Sequence, residues 1–217
     1  MKPIIGVVGR PEILTSGTKI FYINQEINSA IIKNGGSVNI IIPPITDNLN
    51  ININEEQLNE IERQINNCDG IICQGGDDFY DYDLKIIEYC HKNDVPLLGI
   101  CLGMQAMSCL FGGTMKKLET GKHKTKGLFV HKVKINKNSK LYDIFKTETL
   151  QVNSRHISYI TKTSLKVVAI SDDNLIEAVE DTNKKFFIGV QWHPETMIEY
   201  DILENNLFSY FIDCCRR

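Results

Sequence analysis

Short apolar runs alternate with amphipathic stretches through the first half of the chain. Ile4 to Val8, Val38 to Ile42, Gly70 to Cys73 and Leu97 to Ile100 are mostly apolar, the pattern of strands buried on both faces of a parallel sheet. Between them, Phe21 to Lys33 carries Ile23, Ile27, Ala30 and Ile31 at helical spacing and is predicted to be a helix. Glu55 to Asn66 and Asp83 to Lys92 give two more helices. A fourth runs from Cys101 toward Phe111 and is ended by Gly112-Gly113.

From Gly127 onward the period shortens. Val130 to Ile135, Leu150 to Val152, Leu165 to Ile170, Leu175 to Glu180 and Phe186 to Val190 are strand-like. Turn residues at Asp172-Asp173-Asn174 and Asp181-Thr182-Asn183 predict antiparallel pairing there. A last helix is expected from about Glu199 to Phe211. The fold class that follows is α/β: a three-layer, open, mostly parallel sheet with helices on both faces, plus a small antiparallel extension.

Composition narrows the picture without changing it. A chain of 217 residues fits one domain, 1–217. A net charge of −3 and the lack of a strong basic run give no reason to expect nucleic acid or an anionic membrane as partner. The apolar stretch near Met1 is too short for a signal peptide, and no run approaches the length of a spanning helix, so a cytoplasmic protein is expected. The seven cysteines lack paired CxxC spacing, which indicates neither a disulfide framework nor a zinc site. Cys68, Cys73, Cys90 and Cys109, in apolar surroundings, are read as buried thiols.

Chemistry concentrates at two places. Gly99-Ile100-Cys101-Leu102-Gly103 sets a cysteine between an apolar strand and a helix start, with glycine two residues to either side. That is a nucleophile elbow: the chain turns sharply, the central side chain is pushed above the sheet edge, and the helix N-terminus favours an anion there. Far downstream, His193-Pro194-Glu195 follows the strand ending at Val190 and supplies a base with a carboxylate to orient it. Cys101, His193 and Glu195 thus form a candidate triad.

Three further groups could serve the same site. Gln74-Gly75-Gly76-Asp77-Asp78 follows another strand end, where a backbone N–H could pair with that of Leu102 as an oxyanion hole. A tight strand-to-helix turn accounts for its two glycines equally well. Gln105 lies one helical turn beyond Cys101. Asn153, Ser154, Arg155 and His156 form a polar cluster suited to the α-carboxylate and α-ammonium of an amino acid, and Asp77 or Asp78 could meet the ammonium. His91, His123 and His131 have no partner nearby in sequence and are read as surface or structural.

The pair G-I-C-L-G-M-Q and G-V-Q-W-H-P-E resembles the class I glutamine amidotransferase superfamily, whose flavodoxin-like fold agrees with the one derived above. Tyr22 to Pro44, His131 to Ile135 and Val152 to His156 are similar to the γ-glutamyl hydrolases of the γ-glutamyl-γ-aminobutyrate hydrolase type. The resemblance implies hydrolysis of a γ-glutamyl amide through a γ-glutamyl thioester, with no metal or organic cofactor. It points to Gly76 as the oxyanion donor beside Leu102, and to Gln105 and residues 153–156 as substrate contacts. It allows a homodimer. Two departures, Leu102 where some of those hydrolases carry arginine and a short Asp77 to Asp83 segment, look more like an ordinary amidotransferase. The alternative is therefore a glutaminase subunit delivering ammonia to a synthetase partner; a non-catalytic ligand-binding member ranks last, because all the triad positions are filled.

Overall fold

A computed structural model describes residues 1–44, 51–119 and 121–216. In chain order the strands and helices are β1 (Ile4–Val8), β2 (Arg10–Ile13), β3 (Lys19–Tyr22), α1 (Gln25–Lys33), β4 (Ser37–Ile41), α2 (Glu55–Asn66), β5 (Gly70–Cys73), α3 (Asp81–Lys92), β6 (Leu97–Ile100) and α4 (Leu102–Leu110). There follow β7 (Thr114–Lys117), β8 (His131–Ile135), α5 (Lys140–Phe145), β9 (Thr149–Val152), β10 (Ser158–Lys162), β11 (Lys166–Ser171), β12 (Ile176–Glu180), β13 (Phe187–Val190) and α6 (Ile202–Cys215).

Nine strands form one sheet in the order β4-β1-β5-β6-β13-β12-β11-β8-β9. The first five are mutually parallel, and from β12 on every pairing is antiparallel. The three central strands β5, β6 and β13 are buried at every position, as their continuous apolar sequences require. One apolar cluster, with Trp192, Phe208 and Phe211, fills one side of the sheet. A second, with Tyr82, Met104 and Met107, fills the other. The α/β architecture expected from the alternation is the one observed. Among the described residues no helix is long and apolar enough to cross a membrane.

Several boundaries differ from expectation. The helix predicted from Phe21 begins at Gln25, because Lys19–Tyr22 is instead strand β3, paired antiparallel with β2. Asn24, in extended conformation, separates them. The last helix runs Ile202–Cys215 rather than Glu199–Phe211, since the Asp201 side chain accepts the Leu203 N–H and caps it there. Among the described residues, strands β7 and β10 pair only with each other. β7 is exposed throughout and carries no period-2 signal by which it could be read.

Candidate active site

The elbow is built from close contacts between three chain segments. Cys101 caps α4 with φ 52° and ψ −100°, a conformation that non-glycine residues adopt only under constraint. The constraint is visible on both sides. A Cβ on Gly99 would lie 2.9 Å from Gly103 C and from Met104 N, and one on Gly103 would run into the Cys73 carbonyl oxygen. Glycine at both positions thus lets the start of α4 rest on the ends of β5 and β6. Cys101 is 7% exposed, so its side chain lies at the floor of the site rather than on a surface.

His193 comes from the loop after β13, the strand parallel to β6, and its Nδ1 lies 2.7 Å from Glu195 Oε1. Burial alone would push the His193 imidazole down. The negative charges of Glu195 and of Cys101, to which it is hydrogen-bonded, outweigh that and carry it up to about 10. The imidazolium form of His193 is the one this arrangement favours. Trp192, fully buried, anchors the loop from behind: its Nε1–H donates to Glu204 Oε2 at 3.0 Å.

The loop Gln74 to Asp78 closes over this pair. The Gln74 side chain donates to the carbonyls of Val8 and Tyr22 and accepts from Asn24 N–H, which fixes the start of the loop. A Cβ on Gly75 would stand 2.8 Å from His193 Cε1, and one on Gly76 would stand 3.1 Å from Leu102 Cδ2, so Gly75 lies against His193 and Gly76 against Leu102. Arg10, paired with buried Asp83 at 2.6 Å, donates to the Asp78 carbonyl and holds the far end of the loop. Nothing in the local sequence of Arg10 signals that part.

The residues expected around substrate separate into different settings. Asn153 is fully buried and spent on the His193 backbone: its Oδ1 accepts His193 N–H at 2.9 Å, and its Nδ2 donates to the His193 carbonyl at 2.8 Å and to Thr196 Oγ1 at 3.1 Å. Ser154 and His156 face into a cluster of histidines, Ser154 Oγ meeting His123 Nδ1 at 2.9 Å. Arg155 is exposed and lines a cavity of about 490 Å³ together with Gln25, Glu26, Glu195 and Tyr200. Gln105 donates to Gln191 Oε1 and to the Ser158 carbonyl, both at 3.0 Å, and Gln191 Nε2 reaches Cys101 Sγ at 3.5 Å. Gln105 is therefore linked to Cys101 through Gln191, a residue of the G-V-Q-W-H-P-E run whose place here no spacing argument could supply. Asp77 and Asp78 are exposed.

His91, read as structural, pairs with Asp181 at 2.8 Å and stacks edge-on to Phe111 and Phe187. His123 and His131 are different. The fold brings both beside His156 and Glu177.

A strained cysteine elbow at the carboxyl ends of a parallel sheet, with a His–Glu pair in the loop after the neighbouring strand, is the local architecture of the elbow in α/β hydrolases. The likeness to solved structures agrees in fold. A glutamine amidotransferase from Thermotoga maritima superposes with a TM-score of 0.65 over 100% of both chains at 13% identity. The glutaminase domain of Trypanosoma brucei CTPS, with bound acivicin, superposes with a TM-score of 0.70 over 99% of this chain and 94% of that one at 17% identity. A family model described as Peptidase C26 matches residues 80–195, which span Cys101, His193 and Glu195. A glutamine-hydrolysing GMP synthase subunit from Archaeoglobus fulgidus is 30% identical over 189 residues, covering 86% of this chain and 98% of that protein. The chain belongs to the peptidase C26 family, within the class I glutamine amidotransferase superfamily.

Proposed function

We propose that the protein is a glutaminase subunit: it hydrolyses the γ-amide of glutamine and delivers the ammonia to a separate synthetase. The observation that carries the reading is the Cys101–His193–Glu195 set on its elbow, in a chain that matches nearly the whole of a glutamine-hydrolysing GMP synthase subunit. This reverses the order of the two enzymatic readings drawn from sequence. The γ-glutamyl-amine hydrolase becomes the second, favoured by the open cavity in which Arg155 could meet the carboxylate of a longer leaving amine.

The Cys101 thiolate attacks the γ-carbonyl carbon, and the charge that moves to oxygen is met by the N–H groups of Leu102 and Gly76. His193, already protonated, gives its proton to the departing nitrogen as the C–N bond breaks, releasing ammonia and leaving a γ-glutamyl thioester on Cys101. Water then loses a proton to His193 and adds to the thioester carbon. The C–S bond breaks, glutamate departs, and the thiolate–imidazolium pair returns. Glu195 keeps the imidazole oriented through Nδ1 and stabilises its charged form.

The test is glutamate release by the purified chain from glutamine and from γ-glutamyl-γ-aminobutyrate, with Cys101→Ala alongside. Glutamine turnover exceeding that of the γ-glutamyl amine, and lost by at least about 10³-fold in Cys101→Ala, is expected. Cleavage of the γ-glutamyl amine well above glutamine would hand the assignment to the hydrolase reading. Turnover that survives in Cys101→Ala would overturn both.

A further inference from the structure

One side-chain cluster outside the candidate triad has an unusual balance of donors and acceptors. His123 ends the short 3-10 turn Gly121–His123, His131 opens β8, His156 follows β9, and Glu177 lies in β12. One ligand atom from each lies within 4.8 Å of all the others. His131 Nε2 and His156 Nε2 stand 3.6 and 3.8 Å from Glu177 Oε1, too far for hydrogen bonds. Among the described residues, neither of those nitrogens nor either Glu177 oxygen, all buried, has a hydrogen-bond partner.

The outer nitrogens explain why. His156 Nδ1 lies 2.9 Å from the Ser158 carbonyl, and His131 Nδ1 lies 3.3 Å from the Lys132 carbonyl. A carbonyl only accepts, so each Nδ1 carries the proton and each Nε2 presents a bare lone pair. His123 Nε2 faces the Asp173 carboxylate at 2.8 Å; its proton belongs there, and Nδ1 is the bare nitrogen, accepting from the Ser154 hydroxyl. Two unpartnered imidazole lone pairs and a carboxylate thus converge on one buried space, none supplying a proton to another, and His123 Nδ1 stands beside them with its lone pair on the Ser154 hydroxyl, a bond it would exchange for the ion. Carbonyl and carboxylate partners on the far nitrogens are the arrangement that orients imidazoles toward a metal.

We propose that His123, His131, His156 and Glu177 form a binding site for a divalent transition-metal ion of the zinc type. Three neutral imidazoles and one carboxylate are the borderline donor set zinc takes, and four protein ligands make a closed, structural site. Tetrahedral coordination with bonds of about 2.0–2.1 Å keeps its donors about 3.3 Å apart, so the two Glu177–imidazole separations of 3.6 and 3.8 Å need a small contraction, and the remaining pairs, within 4.8 Å of one another, a larger one on binding. The ion would join the 121–123 turn and the 153–156 segment to β8 and β12. The latter lies directly behind the nucleophile, because Gln191 N–H, beside Cys101, donates to the Glu177 carbonyl at 2.7 Å. The site stands independently of the glutaminase reading.

The test uses the untagged full chain loaded with cobalt(II) and with zinc(II), followed by metal analysis, visible absorption and thermal unfolding. The expected result is about one metal per chain, a tetrahedral cobalt spectrum without sulfur charge-transfer bands, and a melting temperature that falls on chelation. His131→Gln, at the most accessible ligand, should unfold like the metal-free wild type yet retain only trace metal. Glu177→Gln is the second variant and should lose the metal likewise. A folded wild type that binds only trace cobalt and zinc, or binding that persists in His131→Gln with sulfur-type bands from the free cysteines, would overturn the proposal. In the first case Glu177 is instead a buried, protonated acid.

Discussion

The parallel half of the sheet delivers Gly75, Cys101 and His193 from the ends of adjoining strands β5, β6 and β13, each within three residues of its strand. The antiparallel half delivers Asn153, His131, His156 and Glu177 from β8, β9 and β12 and the loops between them, and most of these meet the candidate triad only through another residue. The two halves therefore differ in kind. The first presents the candidate triad in short motifs with glycines at the points of close contact. The second supports it with buried polar groups drawn from segments spread over residues 131–177.

The difference is broken most forcefully at Gly103. A methyl there meets the Cys73 backbone, which cannot move without displacing the centre of the sheet. Gly103→Ala is expected to lower stability by about 1–3 kcal/mol or more and to abolish turnover, because Cys101 and the Leu102 N–H shift together. Denaturant unfolding and glutaminase assays report the two effects. Wild-type values for both would show that the elbow is not held by this contact.

On the antiparallel side the expected loss is kinetic. Asn153→Ala removes three hydrogen bonds to the loop bearing His193 but nothing that touches Cys101. With the imidazole less firmly placed, kcat should fall about 10- to 100-fold, while KM stays within about twofold. A rise in KM with kcat unchanged would instead return Asn153 to the substrate-contact role expected from sequence.

What was legible in the chain follows the same division. Cys101 and His193-Pro194-Glu195 could be read because elbow and loop are local: a few adjacent residues dictate where the side chain goes. The run Asn153 to His156 was legible as a polar cluster but not as a set of roles. In extended chain, successive side chains leave on opposite faces. Asn153 and Arg155 accordingly turn toward His193 and the cavity beside Glu195, whereas Ser154 and His156 turn into the histidine cluster. His123 and His131 carried no signal, since their partners are distant in sequence. Glu177 lies inside the strand expected over Leu175 to Glu180, with nothing in the local sequence to single it out. Only the pairing of β12 with β11, and of β11 with β8, brings that acid near the imidazoles.

The parallel side has a buried acid of its own, and it sharpens the contrast at smaller amplitude. Glu204, on α6, accepts from Trp192 through Oε2, but its Oε1 has no partner, and burial pushes its carboxyl up to about 8. In the folded chain Glu204 stays neutral where the unfolded chain has already ionised it. Its contribution is therefore full below about 4.5, falls as pH rises toward about 8, and is lost beyond that. Glu204→Gln keeps an oxygen for the Trp192 N–H and cannot ionise. Relative to wild type, its melting temperature should be nearly unchanged below about 4.5 and higher above about 8, by at least about 2–4 °C for each kcal/mol relieved. Parallel melting curves for the two proteins across that range would mean that Glu204 does not titrate in this window. The Trp192 anchor would then be a charged one, and the two halves of the sheet would differ less in how they bury acids than the geometry indicates.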